Sequence, residues 1–172
     1  GAWLGMAAHL DDKACNAMDI TGMAQKGGSV VTHLRFGEKK GDLYATRLWE
    51  ESADLLIGCD LVVTTGQAIL DLLRHETARI VVNSDVVPTA QFQSNNAIDL
   101  NKDKLIAILN ARVTKEHVTP VDATTSAVKL MGDSIATNVF MMGFALQKGL
   151  LPVSLESIEQ AIRLNGVAIE DN

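Results

Sequence analysis

The sequence predicts an α/β domain built around a mainly parallel β-sheet. Strand-like and helix-like segments alternate through most of the 172 residues. Runs such as ADLLIG (53–58) and ARIVVNS (78–84) are apolar throughout, as strands covered on both faces are. A hydrophobic content of 47% over this length supports one core, since such a chain buries roughly 70% of its unfolded surface. A single domain over residues 1–172 is therefore expected.

GAWLGMAAHL opens as a helix, with Trp3, Met6, Ala7 and Leu10 at the spacing of one face. It begins without a cap or a preceding strand, so an excised piece of a longer protein is expected. NAMDI (16–20) reads as a short strand and SVVTHLRF (29–36) as a second, with Val30, Thr32, Leu34 and Phe36 on one face and Val31, His33 and Arg35 on the other. ADLLIG and DLVVTT (60–65) are both β-rich, although the first also reads as the end of a helix begun at Trp49. AILDLLRH (68–75) reads as a helix, and ARIVVNS as a buried strand before a turn through Pro88.

Residues 88–101 lose periodicity and read as a surface excursion or a lid. KDKLIAILNAR (102–112) returns to helical spacing, HVTPVDA (117–123) to a strand and TTSAVKLMG (124–132) to a helix ending at Gly132. SIATNVFMMGFALQKG (134–149) has a cap at Asp133 or Ser134, a stop at Gly149 and Pro152 beyond it. Its stripes Ile135, Val139, Met142, Leu146 and Ala136, Phe140, Gly143 predict burial between layers or against another chain. SLESIEQAIRLNG (154–166) is capped at Ser154, turns Leu155, Ile158 and Ile162 inward and stops at Asn165-Gly166.

The formal net charge of -6 argues against nucleic acid as a partner, because a sequence-independent grip on phosphate needs clustered Lys and Arg. Cys15 and Cys59 are far apart in sequence and belong to no ligand-spaced pair, so cysteines here hold neither zinc nor an iron–sulfur cluster and read as buried free thiols. No apolar run approaches the roughly 18 residues of a membrane span, and no signal peptide is apparent, so the expected location is the cytoplasm.

The candidate site is the loop Gln25, Lys26, Gly27, Gly28 and Ser29. Adjacent glycines let backbone N–H groups converge on a phosphate or carboxylate, and the lysine adds a point charge. It matches neither phosphate-loop fingerprint, and an ordinary tight connection is the competing reading. His33 and Arg35 extend this into a small electropositive patch, with His33 read as a half-exposed structural histidine. Asn138 lies in an apolar helix and is expected to have a hydrogen-bond partner. Asp122 reads as a helix cap or a residue lining the sheet's C-terminal end, and Met141-Met142 as core or interface filler.

GAWLGMAAHL, GMAQKGGSVVTHLRF, ADLLIGCDLVV and GDSIATNVFMMGFALQKGLLPVSLESIEQAIRLNG are similar to successive blocks of the gamma domain of 2-oxoacid:ferredoxin oxidoreductases, and most of all to the large fused indolepyruvate enzymes. The resemblance implies a Rossmann-like three-layer domain, within an enzyme that decarboxylates an aryl or other 2-oxoacid, passes the acyl group to coenzyme A and delivers electrons to ferredoxin. It further implies that thiamine diphosphate and iron–sulfur clusters are held by other domains or subunits, so that this piece alone is inactive. Coenzyme A or the oxoacid would meet Gln25 to Ser29, with Arg35 nearby. The family domain starts with a strand and a glycine turn, and this chain is expected to lack both, leaving a seam that a second copy would cover.

Overall fold

A computed structural model describes residues 1–21, 29–86, 101–167 and 169. In chain order its elements are helix α1 (Ala2–Leu10), strands β1 (Ala14–Thr21), β2 (Val30–Gly37) and β3 (Leu55–Gly58), and the single helical turns α2 (Leu61–Thr64) and α3 (Gln67–Leu70). Strand β4 (Arg79–Asn83), helix α4 (Lys102–Arg112), strand β5 (Val118–Val121) and helices α5 (Ala123–Met131), α6 (Thr137–Gln147) and α7 (Leu155–Asn165) complete it. Two compact units emerge: Gly1–Leu48 with Leu146–Asn172, and Trp49–Ala145.

In the first unit, β1 and β2 pair antiparallel from Ala14 opposite Gly37 to Thr21 opposite Val30. Helix α1 packs on β1 and on α7. Its buried residues are Leu4, Ala7 and Ala8, while Met6 is 42% exposed. The inward face is thus rotated from the expected one, and only Ala7 is shared. Alanines let α7 approach closely, with Ile158, Ala161 and Ile162 buried from its side. Leu155, expected inward, is half exposed because the first turn of α7 turns Ser157 inward instead.

A polar clasp joins the end of α1 to the start of α7. The Asp11 carboxylate accepts from the Ser154 N–H at 2.6 Å, the Ser154 hydroxyl at 2.8 Å and the Ser157 hydroxyl at 2.5 Å. Lys13 Nζ donates to the Pro152 carbonyl at 2.7 Å. The Ser157 hydroxyl, outweighing partial desolvation and assisted by Ser154 and Lys13, holds Asp11 below the usual carboxylate range. Ser154 also caps α7 as expected, accepting from the Ser157 N–H, and Gly166 ends it at φ 71°.

The second unit carries the parallel sheet, ordered β3-β4-β5. Ile80, Val81 and Val82 in the central strand are fully buried, as its unbroken apolar run predicts. Two expected elements fall short. DLVVTT is the helical turn α2 rather than a strand, because the Asp60 carboxylate accepts from the Val63 N–H at 2.9 Å and starts a helix. AILDLLRH yields only α3, after which Leu73 bridges to Ala53.

Helices α4 and α5 and strand β5 follow the sequence closely, and Gly132 ends α5 at φ 77°. Asp133 accepts from the Ile135 N–H at 2.9 Å, but the turn it caps is a short 3-10 segment, Ser134–Ala136, ahead of α6. Ile135 is 81% exposed; of the two expected stripes only Ala136 is buried, just ahead of α6, and α6 itself buries Thr137, Met141 and Ala145. Asn138 is exposed, so its amide meets water and needs no protein partner.

Candidate functional site

Of the expected site, Gln25, Lys26, Gly27 and Gly28 lie outside the described residues, as does most of the 88–101 segment. Ser29 is exposed at the entry to β2. Val30 and Arg35 are separated by five positions along an extended strand, about 17 Å. Ser29 and Arg35 therefore lie too far apart to share one small anion; only an extended ligand could reach both.

His33 is 3% exposed, and the half-exposed reading is corrected. Its Nδ1 accepts a hydrogen bond from the Leu48 N–H at 2.9 Å, which requires an unprotonated Nδ1. Burial, followed by the charges of Arg47 and Arg35, pushes its pKa below the ordinary 6.5. A neutral, occupied imidazole is structural: it fastens the chain at Leu48 to β2.

Arg35 stands on the same face, two residues on. Its Nη2 donates to the Arg47 carbonyl at 3.2 Å, and its buried Nε has no partner among the described residues. Arg47 is thereby brought to this face, a placement that sequence reasoning missed. It lies in an irregular stretch with no period to assign it a side, and its basic character in an acidic chain was the sole signal.

At the Ala14–Gly37 end of the hairpin, opposite the Thr21–Val30 end, an open cleft of about 520 Å³ is lined by His9, Lys13, Cys15, Glu38, Lys39 and Lys40 among others. Its charges are mixed. Burial raises the pKa of the Cys15 thiol, and burial with the Asp60 charge raises that of Cys59, so neither is poised as a thiolate nucleophile. Both cysteines are free and half-buried rather than fully buried. Among the described residues no group of three His, Cys, Asp or Glu side chains converges as a metal site would require.

The C-terminal end of the parallel sheet is organised by Asn83, which is 3% exposed. Its Nδ2 donates to the Cys59 carbonyl at 3.2 Å and to Thr124 Oγ1 at 2.8 Å, while its Oδ1 accepts from the N–H groups of Ala123 and Asp85 at 3.2 and 3.3 Å. The βα turns after all three strands are tied by one side chain. Asp122 accepts from the Thr125 N–H at 3.4 Å, fulfilling the capping reading. Asp60 and Asp122 thus place carboxylates on the two described helix N-termini at this end, where each complements the helix dipole.

The family model described as pyruvate ferredoxin/flavodoxin oxidoreductase matches residues 1–172. The chain belongs to this family. It is 32% identical over 142 residues to the indolepyruvate oxidoreductase subunit IorB of Archaeoglobus fulgidus, covering 83% of this chain and 66% of that protein. The subunit of the same name from Methanothermobacter thermautotrophicus is 28% identical over 163 residues, covering 94% and 78%. The chain thus spans about two thirds of the Archaeoglobus protein's length.

Two solved structures share the fold. The pyruvate oxidoreductase subunit PORC of Thermotoga maritima matches with a TM-score of 0.59 at 19% identity, covering 95% of this chain and 74% of that one. The gamma subunit of the keto/oxoacid ferredoxin oxidoreductase from Geobacter sulfurreducens matches with a TM-score of 0.54 at 17% identity, covering 94% and 75%. The family resemblance read from the GMAQKGG and GDSIATN blocks is therefore borne out, as is the α/β class. Among the described residues no helix is long and apolar enough to cross a membrane.

Proposed function

We propose that residues 1–172 act as one accessory domain of a cytoplasmic 2-oxoacid:ferredoxin oxidoreductase that converts indolepyruvate or another aryl pyruvate to its acyl-coenzyme A. The family match over the whole chain carries this reading, and the indolepyruvate names of its curated relatives support the substrate class. Other domains or subunits supply thiamine diphosphate and the iron–sulfur clusters and pass electrons to ferredoxin. This domain helps close the active site. Its loop Gln25–Ser29 holds the pyrophosphate of coenzyme A or the oxoacid carboxylate through glycine N–H groups and Lys26, and Arg35 meets a more distant part of an extended ligand such as coenzyme A.

The test is Lys26→Ala in the complete enzyme, assayed for the coenzyme A and oxoacid concentrations at half-maximal rate. A rise of about tenfold in one of them is expected for a lost charge-assisted contact. Unchanged kinetics would retire the site and leave the family assignment standing.

A second reading, a docking module without its own ligand, is favoured by one observation: Leu130 and Ile135 are 73% and 81% exposed around the end of α5. Here Ile135→Asp should weaken assembly with the other subunits, measured by co-purification and light scattering, while Val139→Asp, at a half-buried position, should also lower stability.

A further inference from the structure

Three of the chain's six arginines meet a carboxylate: Arg74 with Asp54, Arg112 with Glu51 and Arg163 with Glu159. Arg79, in the other unit, meets none among the described residues. Arg35 and Arg47 also meet none among the described residues, although 21 acids are present in the chain. Unlike Arg79, these two belong to one constellation. Two contacts hold the Arg47 backbone against Arg35 and His33: Arg35 Nη2 donates to the Arg47 carbonyl, and the Leu48 N–H immediately after donates to His33 Nδ1.

The groups around His33 are consistent in sign. Arg35 comes from its own strand and Arg47 from the segment that packs on it, and both disfavour the imidazolium. Its cross-strand neighbour is the apolar Met18. Among the described residues neither arginine has an ion-pair partner, and the buried Nε of Arg35 has no acceptor. An oxyanion would offset both guanidinium charges, because paired N–H donors match two oxygens of a carboxylate or of a phosphate group.

We propose that Arg35 and Arg47 form one oxyanion subsite, for a carboxylate or a phosphate group, with His33 as the positioning residue that fixes Arg47 through the backbone of Leu48. The inference rests on the reading of Arg35 as an anion contact and adds Arg47 and His33 to it. Neutral His33 is part of the design: it accepts the Leu48 N–H without adding a third positive charge.

The test is an amide- and imidazole-resolved NMR titration of this chain with inorganic pyrophosphate and, separately, with pyruvate. It is repeated on Arg47→Gln, Arg35→Gln and Lys26→Gln. Saturable shifts at Arg35, Arg47 and Leu48 are expected, together with an upward move of the His33 titration midpoint on saturation and an affinity about tenfold weaker in Arg47→Gln. Lys26→Gln should leave these shifts in place. Response to pyrophosphate assigns a phosphate, and response to pyruvate a carboxylate. Binding lost in Arg35→Gln but unchanged in Arg47→Gln overturns this inference and spares the Arg35 reading; no shift at Arg35 with either probe overturns both.

Discussion

The Asn83 amide donates to Thr124 Oγ1 at 2.8 Å, linking the last residue of β4 to the first turn of α5. The same side chain also meets Cys59, Ala123 and Asp85, so both its donors and its acceptor oxygen are used.

Replacing Asn83 with Leu should therefore be costly. A buried side chain of similar bulk removes the partners of the Cys59 carbonyl and of the Ala123 N–H together, and each buried unsatisfied group costs about 1–3 kcal/mol. A loss of roughly 2–4 kcal/mol is expected in urea unfolding. A change below 0.5 kcal/mol would mean that the turns do not depend on this amide.

Gly58 makes a second prediction. A Cβ at this position would overlap Thr64, whose hydroxyl donates to the Asp60 carbonyl at 2.5 Å and is not free to move. Gly58→Ala should destabilise by about 1–3 kcal/mol, as overpacking does. Adding Thr64→Ala should recover part of the loss in the double mutant, and a purely additive result would place the cause elsewhere.

His33 sets the sign of a pH effect. Its folded pKa lies below the ordinary 6.5, so the unfolded chain takes up the proton first as pH falls. Its contribution is present in full above 6.5 and is lost as pH falls through the lowered folded value. Between pH 7.5 and 5 the parent should lose stability more steeply than His33→Leu, measured by thermal melts across that range, and the Leu48 amide should lose hydrogen-exchange protection in the same window.

Asp11 carries the corresponding carboxylate case. Its folded pKa is lowered from 3.8 by Ser157 above all, so its contribution holds above that value and fades as pH falls through the folded value. Asp11→Ala should lower stability at pH 7 by about 1 kcal/mol, an order set by hydrogen bonds at an exposed helix start. Equal melting temperatures at pH 7 would show that the clasp to α7 contributes nothing.

The helix ends and the central strand were legible because local chemistry specifies them: Ser154 and Asp122 as caps, Gly132 and Gly166 as stops, and the apolar run of β4. What went unread depended on distant partners. The face of α1 is chosen by α7, far along the chain; DLVVTT has strand propensity that the Asp60 cap overrides; and Ile135 is apolar yet exposed. The family was legible in the GMAQKGG and GDSIATN blocks and the candidate loop in its glycines and lysine, whereas the place of Arg47 was not, since only tertiary contacts, from Arg35 to its carbonyl and from Leu48 to His33, give that residue a side.

The Asp11–Ser154 clasp joins residues 143 positions apart, while residues 49–145 make their own unit from continuous chain. During synthesis the parallel-sheet unit can therefore collapse as it leaves the ribosome, but α1, which packs on β1 early, must wait for α7 before its packing is complete. The long loop closure makes that step late and slow. Until then the face of α1 that meets α7 stays open to chaperones, so truncation before Ser154 should turn this helix into an aggregation signal rather than leave a smaller working protein.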